Sequence, residues 1–212
     1  IGTINTPLSK HKALTQETQE KRGHGQGRVI FGIDLRVVDA QGQTLANDGE
    51  SQGYLQVRGH WVAANYYGRP DTALTDDGWF DTGDIGTLDE NGYLVIHDRA
   101  KDIIKSGGEW ISTVELENIA LAHPAIRSAA AIAAQHPRWD ERPVLLCVRA
   151  EGGEIEEPEL LAWYQARVPK WQLPDRILFI DALPVSATGK VLKNRLRAEF
   201  GQILMADGRE AG

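Results

Sequence analysis

Residues 95–117, "VIHDRAKDIIKSGGEWISTVELE", hold the transition that decides the fold. On the left, Val95-Ile96 ends a run of short β-rich segments. In the middle, the apolar pairs Ile103-Ile104 and Trp110-Ile111 flank Ser106-Gly107-Gly108, a composition that predicts a hairpin. On the right, Ser112-Thr113 stands three residues ahead of Glu115, a helix-capping signal. The texture changes from strands to mixed helix and strand, and a domain boundary is expected near 98–102. The fold class is therefore α+β: a β-rich, distorted-barrel part over residues 1–98, followed by a small α+β domain over 99–212.

Working outward to the left, "DTGDIGTLDENGYLVIHDR" offers two strands joined by Asp89-Glu90-Asn91-Gly92, where Asn-Gly is a strong hairpin turn. "GYLQVRG" (53–59) sets Leu55 and Val57 against Tyr54, Gln56 and Arg58, the period of a half-buried strand. "RVIFGIDLRVVD" (28–39) reads as one β-branched strand, and the polar stretch 11–27 as a loop. To the right, 112–123 is a helix with apolar contacts from Val114, Ile119 and Leu121. "IRSAAAIAAQ" (126–135) is ambiguous between helix and strand, its brevity favouring a strand. "RPVLLCVRA" is a strand, 156–168 a helix with Pro158 in its first turn, and "RILFIDAL" a strand. The last helix carries Leu192, Leu196 and Phe200 on one stripe.

The 212 residues carry 23 Lys+Arg against 30 Asp+Glu, an acidic excess that argues against a chain-wide nucleic-acid footprint. Cys147, the one cysteine, sits in an apolar strand and cannot form an internal disulfide, so a buried inert thiol and a reducing cytoplasm are expected. No apolar run approaches the roughly 20 residues of a transmembrane helix. The start "IGTINTPLSKHK" has neither initiator Met nor signal-peptide pattern and reads as a cut edge.

Three elements could carry chemistry. Asp84, in "DTGD" (81–84), is placed after flexible Gly83 at a strand end, where a carboxylate either caps a turn or accepts hydrogen bonds from a ribose diol. Gly107-Gly108 allows close backbone approach to a ligand, and Trp110 is either core or a stacking surface. Arg99 and Lys101 fall on the boundary, where few residues absorb a large rotation. Lys190, in "PVSATGKVLKNRLRAEF" (184–200), is a solvated side chain or a point charge on a mobile loop, able to meet developing phosphate charge. A P-loop is excluded, because Pro184 and Val191 occupy positions that need Gly and Ser/Thr. The histidines have no metal-ligand spacing, and no metal site is expected.

Taken in order, "YYGRPDTALTDDGWFDTGDIG", "VIHDRAKDIIKSGGEWISTVELE" and "LPVSATGKVLKNRLR" closely resemble the acyl-CoA synthetases of the adenylate-forming superfamily. "SGGEWIS" (106–112) is most similar to the fatty-acyl and medium-chain acyl-CoA ligases. The resemblance implies two half-reactions: a carboxylate attacks the α-phosphate of ATP to give acyl-AMP, and the thiol of CoA then displaces AMP. It implies that Asp84 and Arg99 contact the ribose beside Thr82 and Gly83, and that Lys190 bridges acyl carboxylate and phosphate. Lys101 takes the hinge position of a small domain that swings between the halves. Lys105, Ser106, Gly107, Gly108, Glu109 and Trp110 then face CoA, with Trp139 and Trp171 against its nucleotide. Basic residues sometimes found near the last position are Leu173 and Asp175 here, so that either Arg176 substitutes or CoA is held differently.

The ATP-phosphate loop, the residue that orders Mg2+ and any homo-oligomer interface are expected upstream, so that the isolated chain is expected to be inactive in adenylation. The expected partners are a small carboxylic acid, ATP and CoA. Alternatives are an adenylation domain that loads a carrier-protein pantetheine, or a non-catalytic module that binds a nucleotide or partner.

Overall fold

Of the polar stretch expected to be a loop, residues 11–24 lie outside the described residues of the computed structural model, which are 2–9, 25–68 and 71–206. The chain divides into two units, Ile1–Lys101 and Asp102–Gly212. The break falls after Lys101 rather than after Asp98, because Arg99 still pairs with Asp84 in a sheet and the Ala100 N–H donates to the Gly83 carbonyl.

The first unit is one antiparallel sheet. Its strands are β1 (Thr3–Ile4), β2 (Gly27–Val29), β3 (Ile33–Val38), β4 (Gly53–Gly59), β5 (Phe80–Leu88) and β6 (Tyr93–Arg99), ordered β1-β2-β6-β5-β4-β3. The stretch 28–39 is two strands instead of one. Gly32, at φ 83°, breaks it in a left-handed turn that no β-branched neighbour would tolerate. The Asp-Glu-Asn-Gly turn between β5 and β6 is held by Asp89 Oδ1, which accepts from the Asn91 and Tyr93 N–H groups at 2.8 and 2.9 Å. Val37, Leu55, Leu88 and Leu94 form the apolar centre.

The second unit begins with the hairpin β7 (Ile104–Ser106) and β8 (Glu109–Ile111), closed by Gly107 and Gly108 at φ 59° and 95°. Helix α1 (Thr113–Leu121) follows, and its N-cap Ser112 side chain accepts from the Glu115 N–H. Leu116 and Ala120 face the core and Ile119 packs against it as expected, whereas Val114 and Leu121 are exposed. The reason is helical spacing: Thr113, Leu116 and Ala120 share the inward stripe. Strands β9 (Ile126–His136) and β10 (Asp140–Arg149) pair antiparallel along their length, resolving the alanine-rich stretch as strand. Helix α2 (Glu157–Gln165) crosses over to β11 (Arg176–Phe179), which runs parallel to β10. Helices α3 (Lys193–Phe200) and α4 (Ile203–Ala206) finish the unit.

Two cores lie on the faces of this sheet. Leu145 and Cys147 of β10 pack with Ile104, Leu116, Leu160 and Tyr164, while Val144 and Leu146 pack with Ile132 and Leu196. The fully buried Tyr164 phenol donates to the Leu116 carbonyl and so pins α2 to α1; burial pushes its pKa well above the usual range. Burial likewise pushes the Cys147 thiol up to about 12, against a smaller opposing effect of Arg149.

Two outcomes follow from these cores. Leu196→Ala should cost about 2–5 kcal/mol, read as a lower urea midpoint with an unchanged m-value. Cys147 should stay unreactive toward a disulfide reagent at pH 8 in the folded protein and react at the rate of a free thiol once urea unfolds it. Rapid native labelling would mean that this strand opens locally.

Candidate active site

In the first unit the nucleotide candidates gather on an irregularity inside β5. Tyr54 pairs with Ile85 and Gln56 with Asp81, so the intervening Thr82-Gly83-Asp84 bulges out of the ladder. Asp84 thus sits within a strand and not at its end, as the sequence suggested; Gly83 supplies the required φ of 70°. The bulge is fixed on every side. The Thr82 hydroxyl donates to the Leu55 carbonyl at 3.0 Å and accepts from the Asp84 N–H at 3.1 Å. The Gly83 N–H donates to Asp81 Oδ1 at 2.8 Å. Across the ladder, Arg99 Nε meets Asp84 Oδ1 at 3.0 Å, the arginine 61% exposed and the carboxylate 19%. A half-buried carboxylate oriented by a solvent-facing guanidinium can accept from hydroxyl groups. Lys101 is exposed and is the last residue of this unit.

In the second unit, the glycine turn of the β7–β8 hairpin, Trp139 and Trp171 surround one cavity of about 650 Å³. The Gly107 N–H donates to the Trp139 carbonyl at 2.9 Å, and a Cβ at position 107 would lie 2.8 Å from the indole. Only glycine lets the ring lie this close. A Cβ at Gly108 would meet open space, so the outer side of the turn is accessible to a ligand. Trp139 follows a turn in which His136 Nδ1 accepts from the Arg138 and Trp139 N–H groups, and Arg138 lies over the indole at 4.7 Å. Asp140, at φ 69°, completes that turn in a conformation that Asp tolerates better than most residues. Glu109 and Ser106 also line the cavity. Lys105 does not; its backbone N–H donates to Glu141 Oε2 at 2.8 Å, and it pairs across the hairpin with the half-buried Trp110.

Cations missing from the sequence reading line the same cavity: Arg138, Arg142 and Lys170. Arg176, considered as a phosphate partner, instead stands 3.4 Å from Glu157 and is absent from the lining. Its strand position after Asp175 turns it toward α2.

Lys190 occupies a closed turn and not a loose loop. The Ser186 N–H donates to the Lys190 carbonyl at 2.8 Å, the Gly189 N–H to Ser186 O at 2.9 Å, and the Lys190 N–H to Ser186 Oγ at 3.2 Å. Val185 and Val191 bridge across it, and Gly189 takes φ 78°. The backbone hydrogen bonds consume the freedom that glycine suggested, leaving the lysine exposed on a firm mount. Just beyond it, Lys193 Nζ meets Glu117 at 2.7 Å and Thr113 Oγ1 at 2.6 Å, and Arg197 meets Asp102 at 2.8 Å. These pairs tie the turn to α1 and to the first residue of the unit.

Residues 115–190 match the AMP-binding enzyme C-terminal domain. Over 204 residues the chain is 56% identical to a 3-methylmercaptopropionyl-CoA ligase of Ruegeria pomeroyi, covering 96% of this chain and 38% of that one. It is 48% identical over 205 residues to a medium-chain-fatty-acid–CoA ligase of Ectopseudomonas oleovorans, covering 97% and 38%. Among solved structures, o-succinylbenzoate CoA synthetase of Bacillus subtilis, in complex with its acyl-adenylate intermediate, superposes with a TM-score of 0.76. It is 29% identical and covers 94% of this chain and 39% of that one. The chain spans about 38% of the length of the curated relatives it matches. With that likeness running through both the strand-rich and the mixed unit, the chain carries the C-terminal domain of the AMP-binding enzymes and is similar over nearly all its length to acyl-CoA ligases.

Proposed function

We propose that this chain is the nucleotide-gripping and thiol-directing part of an ATP-dependent acyl-CoA ligase that acts on a fatty or short- to medium-chain carboxylic acid. The observation that carries the reading is Gly107, packed bare against Trp139 in the wall of a cavity that Trp171, Arg138 and Lys170 also line. Such a lining suits a thiol carried on a long arm from a phosphorylated nucleotide. The relatives named above as CoA ligases support it, as does the adenylate held by the B. subtilis synthetase.

In the first half-reaction a carboxylate oxygen bonds to the α-phosphorus of ATP and the bond to pyrophosphate breaks. Asp84, oriented by Arg99, accepts from the ribose hydroxyls and fixes the nucleotide. Lys190 presents an ammonium to the charge growing on the phosphate oxygens, a prepositioned charge that stabilises the transition state. In the second half-reaction sulfur bonds to the acyl carbon, the bond to AMP breaks, and the thiol proton is released. The backbone at Gly107-Gly108 guides the thiol arm, since no side chain there obstructs it. Because the Lys190 turn is internally closed, an exchange between the two tasks moves the whole second unit, with Lys101 as the pivot. Among the described residues no group of three His, Cys, Asp or Glu side chains could hold a metal ion. No described helix is long and apolar enough to cross a membrane. The single cysteine of the chain, which can make no internal disulfide, fits the reducing cytoplasm we propose for the enzyme.

In the complete enzyme, Lys190→Ala should slow carboxylate-dependent ATP–pyrophosphate exchange about 100-fold or more while sparing thioester formation from supplied acyl-AMP. Equal loss of both steps would count against the division of tasks. Free CoA should be a far better acceptor than the pantetheine of a carrier protein in a direct thioester assay; the opposite preference would favour a carrier-loading domain.

A further inference from the structure

Arg142 is 9% exposed in the wall of the thiol cavity, and none of its donors points at solvent-borne chemistry. A guanidinium has five N–H groups in one planar fork, and burying its charge is costly unless each is met. Here the partners come from within the chain. Nε donates to Asp175 Oδ1 at 2.8 Å. One terminal nitrogen donates to Ser106 Oγ at 3.0 Å and to the Trp171 carbonyl at 2.6 Å. The other donates to the Leu173 carbonyl at 2.9 Å and lies 2.7 Å from Asp175 Oδ1. Four hydrogen bonds and one further ion-pair contact hold the guanidinium from within the chain.

Those contacts join two separate pieces of chain, Ser106 and the stretch 171–175, to the strand that carries Arg142. Ser106 precedes the glycine turn and pairs with Asp140 at the start of β10. Trp171 and Leu173 belong to and follow a short 3-10 turn (Lys170–Gln172) that has no hydrogen bond from a capping side chain. Asp175 leads into β11. We infer that Arg142 is a positioning residue for thioester formation, setting the gap between the Gly107-Gly108 turn and Trp171, and that Arg138 and Lys170 are the cations available to ligand phosphate. This rests on the CoA-ligase reading. The guanidinium's planarity is what matters: an ammonium keeps the charge but has three donors on one atom and cannot reach all four acceptor atoms on both stretches at once. The cavity would keep its chemistry and lose its dimensions.

The test uses the full-length enzyme with Arg142→Lys, Arg142→Met and Asp175→Asn, each followed by thermal melting. ATP–pyrophosphate exchange and CoA-dependent consumption of supplied acyl-AMP are measured separately. Arg142→Lys should leave exchange within about twofold and lower the thioester step about 100-fold, the size of a misplacement near 1 Å. The loss should appear in kcat as well as in KM for CoA and be insensitive to ionic strength, whereas Lys170→Ala should change KM for CoA alone and in a salt-dependent way. Should Arg142→Met fail to fold, Arg142→Lys and Asp175→Asn decide, and these two should agree. Equal loss in both half-reactions, or a salt-dependent change in KM alone, would overturn the positioning role while leaving the ligase reading intact. A wild-type enzyme that exchanges pyrophosphate but makes no CoA thioester would overturn both.

Discussion

Strand β10 must satisfy two apolar layers at once. Val144, Leu145, Leu146 and Cys147 are fully buried, and their side chains point alternately to the α1–α2 layer and to the α3–α4 layer. Fully burying an aliphatic side chain contributes about 1.5–3 kcal/mol, and a one-residue slip would exchange the two sets between layers. Register is therefore specified from both faces. The backbone is specified too, with β9 on one edge and β7 and β11 on the other. Everything placed at the start of this strand, Asp140 and Arg142 included, inherits that precision. A site built there can afford a buried charge because the scaffold around it does not shift.

Much of this was legible without coordinates. The Asn-Gly hairpin, the Gly-Gly hairpin and the Ser112 cap act through short-range geometry that the local residues specify. The failures occur where a distant neighbour decides. Gly32 splits 28–39 because the chain must turn beneath Trp61, 29 residues on in sequence (61 − 32), whose Nε1 a Cβ at 32 would approach to 3.0 Å. Val114 and Leu121 face solvent because the sheet presents its surface to Leu116 and Ala120. Local apolarity does not reveal which side of a helix another element will cover.

The candidate site divides along the same line. Asp84, the glycine turn and Lys190 lie in stretches whose order is distinctive, so the sequence pointed to them. Their settings were not readable: a bulge depends on the register of β4, and the closure of the Lys190 turn on Val185 meeting Val191. Arg142 went unnoticed for a different reason. In "DERPVLLCVRA" it looks like the polar edge of an apolar strand, and its four acceptors come from residues at sequence separations of 29 to 36. Lone arginines that open an otherwise apolar central strand are the signal to search for.

The shielded sulfur at Cys147 has a practical corollary. A fluorophore or spin label aimed at an engineered thiol on an open surface of this chain, such as position 95 in the first unit or 121 in the second, would find no competitor in Cys147 while the fold holds. The motion assigned to the second unit can thus be watched by distance spectroscopy without first erasing the natural residue.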